Sequence, residues 1–142
     1  MSKPRIHSAF LVAIMMVYAL GDYPQGKYMG YELPPKPYLR IDADFRKPSG
    51  QGMPGKVHLS VACGPQRANW DAWFDLVIFE HVPNTFKLKD YRTNPKYEEY
   101  LAFFDENCGR GKSVITDLAI FVVNQSGIAV KVSGDKITLV KQ

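Results

Sequence analysis

The 142-residue sequence predicts an α+β domain: a mostly antiparallel β-sheet or sandwich of five to six strands, with one α-helix over 95–108 inserted between the third and fourth strands. Three observations lead there. Apolar and polar residues alternate with period two over 39–46 and 57–63, which marks strands with one buried and one wetted face. The stretch from Asn94 to Arg110 carries start, face and stop signals for a helix. Strand-like runs then resume to the C-terminus, punctuated by short polar turns.

Met1 to His7 carries Lys3 and Arg5 and no acid, and an uncharged apolar run from Ala9 to Leu20 follows, interrupted only by Tyr18. At about 1.5 Å per helical residue this run is too short to cross a bilayer, which takes roughly 20 residues. Ala19 and Gly21 supply small residues at two cleavage points, before Leu20 or before Asp22. Residues 1–21 therefore read as a secretory signal peptide, and the alternative is a buried first helix or strand of a cytosolic domain. The 121 residues of 22–142 have the length of one domain, so a single β-rich unit with one core is expected. Processing also removes Lys3 and Arg5, leaving 16 basic against 14 acidic side chains, interspersed and without a basic stripe. That balance excludes nucleic acid as the expected partner.

Residues 22–38, DYPQGKYMGYELPPKPY, place Tyr23, Tyr28, Tyr31 and Tyr38 among four prolines with almost no aliphatic side chains. Regular helix is excluded and extended or polyproline II backbone favoured. The segment is expected to be an N-terminal arm lying over the domain, with its tyrosines either closing one end of the core or presented to a partner.

Leu39, Ile41, Ala43 and Phe45 alternate with Arg40, Asp42, Asp44 and Arg46. After the loop KPSGQGMPG, Val57, Leu59, Val61 and Cys63 alternate with Lys56, His58, Ser60 and Ala62, so the two runs form an antiparallel hairpin. Asp42 and Asp44 share the polar face. With no calcium-loop spacing and no histidine pair nearby, they read as a solvated strand face and no metal site is expected.

The run Trp70 to His81 fits both periods. As a helix it would gather Trp70, Trp73, Phe74, Val77, Ile78 and His81; as a strand it separates Ala72, Phe74, Leu76 and Ile78 from Trp73, Asp75, Val77 and Phe79. The β-branched and aromatic Leu76–Phe79 run and the Pro83-Asn84 turn favour a strand over 72–80. FKLKDYRT then reads as a polar connection.

Asn94 suits an N-cap, Pro95 the first helical position, and Glu98 and Glu99 the positive end of the dipole. Tyr97, Tyr100, Leu101, Phe104 and Cys108 form one apolar face. Gly109 stops the helix, with Arg110 and Lys112 near its carbonyl end. Cys63 on the apolar strand face and Cys108 on the apolar helix face are expected to form a disulfide, as two cysteines of an exported chain do by default. The last third reads as a three-stranded meander over 114–123, 128–132 and 136–140, with turns at Asn124-Gln125-Ser126-Gly127 and Ser133-Gly134-Asp135.

Searches for catalytic patterns return nothing. Gly111-Lys112-Ser113 resembles the end of a phosphate loop, but Glu106 stands where its first glycine belongs, and the helix precedes rather than follows it. There is no Gly-x-Ser-x-Gly elbow, Cys-x-x-Cys pair or His-x-x-x-His spacing, and no cofactor is implied. A site of His81, Glu80 and Asp75 would need neighbouring strand residues to converge from opposite faces.

The function expected from these residues is that of an exported, non-enzymatic binding protein of the periplasm or extracellular space. An inhibitor or immunity-type protein that occludes a protein partner fits best, with Tyr28, Tyr31, Trp70, Trp73 and His81 as contact candidates, and with no stable membrane insertion once the signal is cleaved. A competing expectation is a small-ligand binder or hydrolase with a cleft near Trp70, Trp73, Asp75 and His81. A third is a structural subunit of an envelope or secreted assembly.

Overall fold

The structure, a computed structural model, describes residues 22–142, and the signal-peptide reading of 1–21 lies outside the described residues. Eight strands follow one another in space as in sequence: β1 (Gly26–Glu32), β2 (Leu39–Arg46), β3 (Gly55–Cys63), β4 (Ala68–Ile78), β5 (Thr85–Leu88), β6 (Ile120–Asn124), β7 (Gly127–Val132) and β8 (Asp135–Lys141). Every neighbouring pair is antiparallel, and β1 also pairs with β8, so the sheet closes into a barrel. One helix, α1 (Pro95–Asn107), follows a single 3-10 turn at Tyr91–Thr93.

The closed barrel corrects the expectation of an open sheet or sandwich of five to six strands. Alternating faces are common to both architectures, and closure depends on the first strand meeting the last, which no local pattern announces. Two strands were not expected. β1 lies inside the supposed arm, and β5 inside the supposed polar connection. The helix consequently lies between the fifth and sixth strands, not the third and fourth. β1 obeys the period of two despite its composition. Tyr28 turns inward, its ring edge-on to Phe45 at 5.6 Å, while Tyr31 points out. Gly30 also faces in, where a Cβ would lie 2.7 Å from the Thr138 carbonyl oxygen and 2.9 Å from Leu139 Cδ2. A glycine at this point lets β1 close against β8.

The run 72–80 is a strand, as its β-branched residues predict, and it extends back to Ala68. Leu39, Ile41, Phe45, Val57, Leu59, Phe74, Leu76, Phe121, Val130 and Leu139, all at most 3% exposed, meet in one contiguous core that fills the barrel. An eight-stranded barrel is just wide enough to be filled by side chains or to hold one small ligand, and here these side chains occupy it.

Asn94 caps α1 as expected, its side-chain oxygen accepting from the amides of Lys96 at 2.8 Å and Tyr97 at 3.3 Å. Of the predicted face, Tyr97, Tyr100, Phe104 and Cys108 are buried and Leu101 is partly buried against the core. β5 pairs with only the last three residues of β4, and α1 packs against the earlier part of β4 through Trp70 and Tyr100, 5.2 Å apart. Cys63 and Cys108 form the expected disulfide, with Cα atoms 4.9 Å apart. Arg110 does not serve the helix's carbonyl end. Its guanidinium, 3% exposed, pairs with Glu32 and Asp135 and donates to the Pro37 carbonyl, binding the chain after α1 to the ends of β1 and β8.

Only the end of the run 114–123 is strand. The single Tyr97 Oη proton is shared between the carbonyls of Ile115 and Asp117, and the Asp117 carboxylate accepts the Val114 amide at 2.8 Å, so residues 115–119 fold into turns. Asp117 is 2% exposed, and burial raises its carboxyl above the ordinary range against the opposing pull of the Val114 and Ser133 amides. The folded state therefore holds this proton more tightly than the unfolded chain, and stability falls as pH rises from about 4 through the raised value. Asp117→Asn keeps an acceptor for the Val114 amide and removes this slope. Urea midpoints measured across that window are expected to decline with pH more in the wild type than in the variant.

Candidate binding face on the outer wall

β2, β3 and β4 pair along eight or nine successive positions, the longest uninterrupted ladder of the barrel. Because their inward residues are apolar, period two sends the chemistry outward. Across this wall Arg40 aligns with Ala62 and Asn69, Asp42 with Ser60 and Asp71, Asp44 with His58 and Trp73, and Arg46 with Lys56 and Asp75.

The charges pair among themselves. Arg40 meets Asp42 at 2.9 Å, Arg46 meets Asp44 at 2.9 Å, Lys56 meets Asp75 at 2.7 Å, and His58 Nε2 lies 2.8 Å from Asp71. The hydrogen bonds that the two arginines donate to Asp42 and Asp44 hold them above even their usual high pKa, so both stay cationic. Exposed pairs of this kind add little to stability. What they do here is fix the orientation of a mixed-charge surface around one aromatic ring.

That ring is Trp73, 52% exposed, with its centroid 5.0 Å from the His58 imidazole and the planes 35° apart. Ala72 and Phe74 on either side are drawn into the core, which forces Trp73 out. A groove of about 410 Å³ adjoins it, lined by Lys56, Asp75, Lys89, Asp90 and Asn94 among others, where β4 meets the 3-10 turn and the start of α1.

The contact candidates read from the sequence do not share one face. Trp73 and Asp75 stand together on the outer wall. Trp70 faces inward, against Phe74 and Tyr100. Tyr28 is half-buried against Phe45, whereas Tyr31 is 55% exposed and aligned with Arg40 at the edge of the same wall. His81 is exposed in the turn after β4, at φ 67°, and eight residues separate Trp70 from the end of that strand. Trp70, Trp73, Asp75 and His81 therefore line no common cleft. His58 and Asp71 are the members that sequence reasoning passed over. Their signal was the hairpin register that sets His58 opposite Trp73, and it is readable only if the strand starts before Ala72. Among the described residues no group of three or more His, Cys, Asp or Glu side chains is arranged to hold a metal ion.

Fold and face together define an up-and-down barrel with a packed interior and an ion-paired outer wall around Trp73. No protein-family model, curated protein or solved structure matches the chain.

Proposed function

We propose that this chain is an exported, non-enzymatic binding protein of inhibitor or immunity type, which occludes a protein partner with the outer wall of β2, β3 and β4. The observation that carries this reading is Trp73: a half-exposed tryptophan, braced by His58, at the centre of a polar ladder whose charged side chains pair with one another. An aromatic anchor within a polar surround is the usual anatomy of a protein-binding hot spot. The filled interior supports the same reading, because binding must then use the surface. The buried disulfide supports a compartment in which such bonds persist, the periplasm or extracellular space. Among the described residues no helix is long and apolar enough to cross a membrane.

The test uses wild type and Trp73→Ala as matched baits on an extract of the native source, followed by titration of the recovered protein. Trp73→Ala is expected to weaken the complex by about 30-fold or more while leaving the melting temperature unchanged. Addition of the wild type is expected to block the recovered partner's activity. Equal retention of the same proteins by both baits would remove the wall of β2, β3 and β4 from consideration.

A further inference from the structure

The opposite side of the barrel has a different chemistry. The outward residues of β5, β6, β7 and β8, among them Lys87, Ile120, Val122, Ala129, Lys131 and Lys136, include no acid. A groove of about 500 Å³ runs across this side, a volume within the range that holds small-molecule ligands. Ala129 forms its floor, between Val122 on one strand and Thr138 on the other. Among the described residues, the ionisable side chains that line it are Lys131 and Lys136.

The placement of those lysines is informative. They are directly opposed across the β7–β8 pair, where like charges repel, and neither has an acidic partner within ion-pair distance among the described residues. The two ends of the groove differ. By register Ile120 and the two lysines lie at one end and Asn124 at the other, with Val122 between; Phe79 stands level with Val122 across Thr85, with the Lys87 ammonium 5.2 Å from its ring centroid. Four strand steps from Ile120 to Asn124 give the groove a length of about 13 Å.

We propose that this groove binds a single-chain anionic amphiphile, with its acid head between Lys131 and Lys136 and its tail along Val122 toward Val82. The head supplies the charge that the opposed lysines lack, and the tail covers an apolar strip that includes Val82 and Val122, both at least 40% exposed. The site is separate from the Trp73 wall and does not depend on the function proposed for it.

The experiment is an amide NMR titration of the purified protein with decanoate, with uncharged decyl maltoside as control. Saturable shifts are expected at Ile120, Val122, Ala129 and Lys131, with the neutral amphiphile at least about tenfold weaker. The double variant Lys131→Gln with Lys136→Gln is expected to lose about tenfold in affinity or more while folding at least as stably, since it removes a repulsion. Ala129→Phe fills the groove floor and is expected to abolish the shifts while both lysines remain. The proposal is overturned by equal binding of the neutral amphiphile, by unchanged affinity in the double variant, or by shifts centred elsewhere. Association with vesicles containing phosphatidylglycerol without any response to decanoate would assign the lysines to a membrane surface and overturn it as well.

Discussion

Replacing both cysteines, Cys63→Ala with Cys108→Ala, is expected to lower the unfolding free energy by about 4 kcal/mol, the chain-entropy value for a cross-link of this span. The bond joins positions 45 apart, from the end of β3 to the C-cap of α1. It acts where the ordinary ladder is missing, since β5 covers only the last part of β4 and the helix must do the rest. For a domain of this size the loss corresponds to a drop of about 15 °C in melting temperature. Against a total stability of about 5–15 kcal/mol it leaves the variant folded only if the barrel is otherwise well packed. Both cysteines are at most 1% exposed, so a reductant must wait for the helix end to open. Thiol alkylation followed by mass spectrometry is expected to show slow reduction in native buffer and a steep acceleration with urea. Rapid native reduction, or a double variant as stable as the wild type, would show that the helix end is held chiefly by Tyr97, Tyr100 and Phe104.

What was legible in the sequence is what local chemistry decides. Asn94, Pro95, the Tyr97–Cys108 face and Gly109 specify α1 within a few residues of chain, and the structure places it within one residue of that span. The β2–β3 hairpin announces itself because one strand face is buried and the other wet. Cys63 and Cys108 could be paired because each falls on an apolar face. Closure was illegible for a physical reason. β1 contributes little aliphatic surface and includes Gly30, whose meaning is steric and depends on β8, more than a hundred residues later in the chain. β5 has only four residues, too few for a periodic pattern to rise above the polar residues around it. The run 114–119 looked like strand because it is apolar on both faces. Asp117 and the hydroxyl of Tyr97 redirect its backbone, and neither bond has a sequence signature. At the binding face Trp73 was legible as a contact candidate, but its outward placement beside His58 belongs to the register of two strands.

Phe45→Ala carries the other large expected effect, a loss of about 3–5 kcal/mol. The ring is 1% exposed and stands edge-on to both Tyr28 and Phe121, each with centroids 5.6 Å away, so it links three strands across the interior. Edge-to-face contacts add to the burial itself, and truncation leaves an apolar hole that its neighbours cannot close without bending paired strands. The same variant tests why the function is assigned to the outer wall. A void lined by Leu, Ile and Phe side chains stays dry and accepts a small apolar guest such as benzene. Benzene is therefore expected to raise the melting temperature of Phe45→Ala and leave that of the wild type unchanged, because only the variant has room. If the lumen were instead a ligand chamber, the substitution would cost under about 2 kcal/mol, and the wild type would itself be stabilised by the guest. Thermal melts of both proteins with and without benzene separate the two cases. They decide whether a partner must be sought on the Trp73 wall or a ligand inside the barrel.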